Sequence, residues 1–133
     1  EYQTRGFQSL GCVYVDANGL HELNNTHGHE AGDRMLQGIA SVLRAEFGRD
    51  NAYRIGGDEF VAFVIDADTE TLLRKVRAVE KVAKGKQYHC AMGTAWSPAP
   101  FSAYGLIKTA ERNMYASKRR YYSGKTDRRK ART

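Results

Sequence analysis

Three acidic residues, one early in the chain and two near its middle, are the first candidates for chemistry. Asp16 ends an apolar run, and Asp58 and Glu59 directly follow two glycines. A strand end beside a tight turn is a place where carboxylates converge on a hard divalent cation, and glycines there let the backbone approach a ligand closely. A helix-capping Asp16 with a solvent-facing turn acid explains the spacing equally well, so both interpretations stay open at this point.

The apolar pattern predicts the elements that position these acids, because runs of strand length alternate with runs of helical periodicity. The predicted strands cover residues 11–16, 52–55, 59–65 and 87–96, and a tight turn lies at 56–58. The predicted helices cover 20–25 and 31–47, a segment that begins at Asp68-Thr69, and a segment that begins at Ser102. This order predicts an α/β (α+β) sandwich, in which helices flank a central antiparallel sheet with the first strand in its middle.

The length and composition indicate one globular domain. The chain has 133 residues, of which 41% are hydrophobic, and it contains no apolar run long enough to cross a membrane. We therefore expect no direct membrane insertion of this segment. The N-terminus does not resemble a signal peptide, and its start suggests a segment cut from a longer protein. Cys12 and Cys90 lie in strand-like runs, and free buried thiols are favoured over a disulfide.

The net charge of +6 belongs to one end of the chain. From residue 118 onward there are eight Lys or Arg and one Asp, a net charge of +7, which leaves −1 for all other residues. A basic end of this kind is typical of a solvated tail, and we predict a disordered tail over 123–133. Nucleic acid is therefore not an expected partner.

Three segments resemble the motifs of the GGDEF domain family, whose members are diguanylate cyclases. Residues 54–60, RIGGDEF, carry the signature; residues 16–33 look like the Asp-rich first motif, and residues 106–118 are similar to the closing helix. Because three motifs occur in the family's order, the chain is identified as a member, with the domain over residues 1–122. The resemblance implies a palm-like, ferredoxin-type fold similar to that of nucleotide cyclases.

The resemblance also implies a reaction and its partners. Diguanylate cyclases join two GTP molecules into cyclic di-GMP and release two pyrophosphates, each 3′-hydroxyl attacking the α-phosphate of the other GTP. The reaction needs a homodimer with one GTP per subunit, and Mg²⁺ or Mn²⁺ as cofactor. We expect a cytoplasmic location and a fused sensory domain on the N-terminal side, even if the parent protein is membrane-anchored.

Carried onto matching positions, the resemblance implies roles for individual residues. Asp58 and Glu59 are the catalytic acids, and Asp58 helps to deprotonate the 3′-hydroxyl. The implied metal ligands are Asp16, the carbonyl of Ala17, Asp58 and Glu59. The implied phosphate contacts are Asn18, Gly19, Leu20, His21 and Lys118, and the implied guanine contacts are Asn24 and Asp33. Taken singly, each of these residues is better explained by a structural role: Asn24 as a polar helix-surface residue, Asp33 as an acid near a helix N-terminus that the macrodipole favours, and Lys118 as a solvent-facing residue near a helix end.

The sequence departs from the family's pattern at several positions. His21 stands where a phosphate-binding lysine is usual, and Tyr121-Tyr122 replace a Gly-Arg pair. The inhibitory Arg-x-x-Asp motif retains Asp50 but has Phe47 in place of its arginine, which predicts that the usual product-inhibition site is absent. The family's N-terminal Asp-x-Leu-Thr-Gly motif is missing, so either the domain is N-terminally truncated, as we expect, or it is a minimal variant. The alternative function is a catalytically weak module that binds GTP and regulates a partner domain.

Overall fold

The computed structural model describes residues 6–18 and 28–132, and the side chains of 6–17 and 28–119. Seven main elements follow one another in the order that the sequence predicts. They are β1 (Ser9–Asn18), α1 (His29–Phe47), β2 (Ala52–Arg54), β3 (Glu59–Ile65), α2 (Thr69–Gly85), β4 (His89–Pro98) and α3 (Ala103–Arg132), with a short 3-10 helix at Arg49–Asn51. The predicted helix at 20–25 lies outside the described residues.

The four strands form one antiparallel sheet in the order β2-β3-β1-β4. The predicted position of the first strand is therefore confirmed, since β1 pairs with β3 on one side and with β4 on the other. In this register Asp16, near the end of β1, lies opposite Glu59 on β3 and opposite Ala91 on β4. The pairing of Asp16 with Glu59 joins two acids that are far apart in the sequence.

Successive side chains of a strand point to opposite faces of a sheet, and β1 divides its residues between two hydrophobic cores. Val13 and Val15 pack in the core that contains buried residues of α1 and α2. Cys12 and Tyr14 pack in the core beneath α3, together with residues such as Met114. Asp16 follows Tyr14 by two positions, so its side chain lies on the α3 face of the sheet.

Two helices begin where the sequence predicts, and in each a side chain caps the first turn. The Asp68 carboxylate accepts a hydrogen bond from the Thr71 N–H at 2.8 Å, and this bond lowers the pKa of Asp68. Before α3, the Ser102 hydroxyl oxygen accepts a hydrogen bond from the Gly105 N–H at 3.0 Å. Each cap satisfies a backbone donor that the first turn of a helix leaves without a partner.

The structure describes α3 as continuing to Arg132, and the disordered tail predicted over 123–133 stays a prediction. Lys and Arg favour helix formation, and the sequence contains no proline beyond Pro100 that would end a helix there. The domain boundary at residue 122 stays a prediction. Although α3 is long, no helix in the described ranges is apolar enough to cross a membrane.

Both cysteines are free in the structure. Cys12 is fully buried beneath α3, and Cys90 is partly buried on the opposite face of the sheet. The pKa of each thiol is raised to about 12, by burial for Cys12 and by burial together with the nearby Asp16 and Glu80 charges for Cys90. Since the thiolate is the reactive form, the structure describes two thiols that are unreactive at neutral pH.

Candidate active site

The candidate site lies where the end of β1 meets the hairpin between β2 and β3. Asp16 is the buried member, with 3% of its surface exposed, and it faces α3. Asp58 and Glu59 are half-buried at the start of β3. The Ala17 N–H donates to the Asp58 carbonyl at 2.9 Å, so the backbone of the turn is tied directly to the end of β1.

The turn that carries Asp58 is closed by its own backbone and by one arginine. The N–H groups of Ile55 and Gly56 donate to the Glu59 carbonyl at 2.9 and 3.3 Å. The Arg54 guanidinium donates from Nε to the Gly56 carbonyl at 3.1 Å and from a terminal nitrogen to the Gly57 carbonyl. Arg54 belongs to the signature segment 54–60, but no role was predicted for it. The structure places it as a brace for the turn.

Asp16, Asp58 and Glu59 each offer a carboxylate oxygen, and these three oxygens all lie within 4.8 Å of one another. Oxygen ligands of this kind suit a small hard cation such as Mg²⁺. In addition, Asp16 Oδ1 is buried and has no hydrogen-bond partner in the part of the chain that the structure describes. A buried carboxylate oxygen without a hydrogen-bond donor costs free energy. A cation would be coordinated by the three carboxylates and would also satisfy Asp16 Oδ1.

Burial and neighbouring charges act on Asp16 in opposite directions. Burial raises the pKa of Asp16, and the nearby Asp58 carboxylate raises it further. The Lys118 ammonium, which donates to Asp16 Oδ2 at 3.2 Å, lowers the pKa in part. The described protein groups therefore only partly offset the cost of the negative charge on Asp16. An additional positive charge beside Asp16 would be stabilising.

Glu59 has a partner that the sequence interpretation missed. The Tyr14 hydroxyl donates to Glu59 Oε1 at 2.9 Å. Burial raises the pKa of Tyr14, and the bond to Glu59 raises it further, so the phenol remains protonated as a donor. The available signal was the position of Tyr14, a hydroxyl two residues before Asp16 on the same strand face.

The family model described as "Diguanylate cyclase, GGDEF domain" matches residues 1–123. The chain belongs to the GGDEF domain family. The predicted resemblance and the predicted fold class are confirmed.

Two curated relatives are named as diguanylate cyclases. This GGDEF domain is 31% identical over 116 residues to Diguanylate cyclase DgcS of Shewanella oneidensis, an alignment that covers 83% of this chain and 39% of the relative. It is 33% identical over 123 residues to Diguanylate cyclase DgcN of Escherichia coli, which covers 84% of this chain and 30% of the relative. The chain thus spans less than half the length of either protein.

A solved structure supports the fold. The GGDEF domain of DgcB from Caulobacter crescentus, crystallised in complex with c-di-GMP, superimposes with a TM-score of 0.79. The sequences are 20% identical, and the match covers 89% of this chain and 77% of that one. At this identity the match supports the fold and assigns no role to individual residues.

The remaining predicted site residues of this GGDEF domain are placed as follows. Lys118 lies beside the acid cluster, and Asp33 lies on the exposed side of α1 near its start. The Ala17 backbone lies at the end of β1. Asn18 is the last residue of β1, but its side chain lies outside the described set, as do Gly19, Leu20, His21 and Asn24 altogether. Their predicted contacts with phosphate and guanine stay predictions.

The two positions of the family's inhibitory motif differ in their surroundings. Phe47 ends α1 with only 6% of its surface exposed and packs in the hydrophobic core, and the Lys75 ammonium lies 5.9 Å from its ring centre. Asp50 is exposed in the 3-10 helix that follows. Phe47 is therefore a core residue that offers no cation to a ligand on the surface.

Proposed function

We propose that this domain is the catalytic unit of a diguanylate cyclase, which condenses two GTP into cyclic di-GMP and two pyrophosphates. The observation that carries the proposal is the convergence of Asp16, Asp58 and Glu59 within 4.8 Å, with a buried Asp16 oxygen that has no hydrogen-bond partner among the described residues. Residues kept only for a structural role would gain nothing from three carboxylates held this close, since like charges repel. The named relatives support the same reaction.

The three acids, with the Ala17 carbonyl, would hold Mg²⁺ or Mn²⁺. When bound, the ion supplies positive charge that stabilises an alkoxide and the charge developing on the α-phosphate. Asp58 lies half-buried in the turn, and its carboxylate accepts the proton of the 3′-hydroxyl as the new P–O bond forms. The bond between the α- and β-phosphates breaks, and pyrophosphate leaves.

The substrate would be bound by groups around this cluster. Lys118, already within reach of the cluster through Asp16, contacts the phosphates together with residues 18–21. Asn24 and Asp33 bind the guanine edge, because a carboxylate accepts from both N1–H and the 2-amino group of guanine, whereas adenine lacks this donor pair.

The reaction would require two copies of the chain. Each domain binds one GTP, and the hydroxyl of one nucleotide attacks the phosphate of the other, so neither copy completes the reaction alone. We infer that a homodimer forms the product, that a sensory domain precedes this one in the full protein, and that the domain acts in the cytoplasm.

A second candidate, a catalytically weak module that binds GTP and regulates a partner domain, is favoured by one contact. The Lys118 ammonium already donates to Asp16 Oδ2, and in a domain that has lost catalysis this ion pair would stand in place of the metal. His21, at a position where the family has a lysine, points the same way.

One assay separates the two functions. The protein at high concentration is incubated with GTP and Mg²⁺ or Mn²⁺, and the nucleotides are separated by chromatography. A cyclase forms cyclic di-GMP, and Asp58→Ala abolishes its formation, while Asp50→Ala, an exposed acid outside the cluster, retains it. Unchanged GTP in the presence of either ion would refute the cyclase and leave the regulatory module.

A further inference from the structure

Tyr14 is bonded to Glu59 across two strands. In the β1–β3 register Tyr14 lies opposite Val61 and Asp16 lies opposite Glu59. Tyr14 and Glu59 are therefore diagonal neighbours on the α3 face of the sheet, a separation that a long aromatic side chain spans. The hydroxyl reaches Glu59 Oε1 at 2.9 Å.

Tyr14 lies among apolar residues, so its hydroxyl depends on Glu59 for a hydrogen-bond partner. Tyr14 has 4% of its surface exposed and packs among apolar residues such as Cys12, Val61 and Met114. A buried phenol requires a hydrogen-bond partner, and the structure provides a charged one.

We propose that Tyr14 is a positioning residue of the metal site: its hydroxyl holds Glu59 Oε1 and so keeps the carboxylate beside Asp16 and Asp58. This inference rests on the proposed function, because it assigns Tyr14 to the same acid cluster. It adds a residue from the middle of β1 to a site whose other members lie at a strand end and a turn.

The hydrogen bond from Tyr14 restricts Glu59, whose side chain is long and only half-buried. A free glutamate samples several rotamers, and the ordering of a rotamer-rich side chain reduces the affinity for a ligand. A hydrogen bond to one oxygen removes part of that freedom before the cation arrives. Loss of comparable outer-sphere hydrogen bonds weakens metal affinity or activity by roughly 10- to 100-fold.

The test compares Tyr14→Phe with the wild type, since phenylalanine keeps the buried ring and removes only the hydroxyl. Mn²⁺ is titrated into the nucleotide-free protein, and free Mn²⁺ is followed by its paramagnetic resonance signal. We expect the Kd for Mn²⁺ to rise about tenfold. The matched control is Tyr53→Phe, whose exposed hydroxyl donates to the Asp50 carbonyl outside the cluster, and its Kd should equal that of the wild type.

A double-mutant cycle shows whether Tyr14 acts through Glu59. In a Glu59→Gln background, Tyr14→Phe should change the Kd for Mn²⁺ by less than twofold, because the carboxylate that the hydroxyl positions is gone. Equal effects in both backgrounds would overturn the proposal. An unchanged or lower Kd in Tyr14→Phe alone, or a wild type that does not bind Mn²⁺, would overturn it as well.

If the protein is an active cyclase, steady-state kinetics provide a second test. Tyr14→Phe should lower kcat with little change in the KM for GTP, since the hydroxyl contacts a metal ligand and not the nucleotide. If the wild type forms no cyclic di-GMP, the proposed function fails while the Mn²⁺ titration and the cycle still decide the role of Tyr14. A rise in KM at constant kcat would contradict the positioning role.

Discussion

Lys118 Nζ lies 3.2 Å from Asp16 Oδ2, which joins the last helix of the domain to the end of its first strand. The Lys118 side chain is 30% exposed, whereas that of Asp16 is 4% exposed. The ammonium therefore bridges solvent and the buried acid. One oxygen of Asp16 is held by Lys118, and the other has no described partner. Two positive charges, an ammonium and a metal ion, can thus share one carboxylate.

We predict that Lys118→Met raises the KM for GTP by about 10- to 100-fold, since a hydrogen bond to a charged group contributes roughly 1.5–3 kcal/mol. The metal-free protein should also unfold more easily, by on the order of 1 kcal/mol, because Asp16 loses its counter-charge. Steady-state kinetics and urea unfolding measure the two effects. The control is Lys108→Met, an exposed lysine of α3 paired with Glu111; an equal change in KM there would contradict the assignment.

The raised pKa of Asp16 makes stability depend on pH in a defined direction. The Asp16 carboxyl binds its proton more tightly in the folded than in the unfolded protein. This proton binding stabilises the folded protein at pH values below the ordinary Asp pKa of 3.8. The stabilisation is lost as the pH rises through the pKa of Asp16 in the folded protein. Asp16→Asn does not lose stability in this way, because asparagine has no carboxyl to ionise.

In EDTA, we expect Asp16→Asn to raise the Tm relative to the wild type at neutral pH, and this advantage to shrink as pH falls toward 3.8, the ordinary pKa of Asp. Calorimetry across pH measures the difference. Addition of Mn²⁺ should stabilise the wild type and leave Asp16→Asn unchanged. A variant that is less stable than the wild type at neutral pH in EDTA would show that Lys118 and the other neighbours fully compensate the charge.

Gly93 of β4 allows α3 to approach the sheet closely. A Cβ at this position would overlap the backbone of α3 at Ala110 and Met114. We predict that Gly93→Ala destabilises the protein by about 3 kcal/mol and lowers activity, because α3 carries Lys118. Gly85→Ala at the end of α2 is the control, since its Cβ would meet open space; urea unfolding should show no comparable loss.

Product inhibition is expected to be weak. Phe47 is a core residue at the position where the family's inhibitory motif has arginine, so a cation for the product phosphates is missing there. Calorimetric titration with cyclic di-GMP should show no tight site, and Arg49→Ala should change nothing. Tight binding that Arg49→Ala abolishes would show that the neighbouring arginine replaces the missing one.

Much of this domain follows from the sequence because its signals are local. The alternation and periodicity of apolar residues predicted the order of the elements, and capping residues such as Asp68 and Ser102 marked where helices begin. The motifs around Asp16 and Asp58 identified the family, and the family model confirms it. Each signal depends on residues that are neighbours in the chain.

The tertiary structure decided the relations between distant residues. Sequence spacing left a metal site and a pair of unrelated acids equally open, and only the pairing of β1 with β3 placed Asp16 opposite Glu59. The bonds from Tyr14 to Glu59 and from Lys118 to Asp16 also depend on strand register and on the packing of α3. Register and helix packing are set by the summed burial of two cores, which no short segment of the sequence encodes.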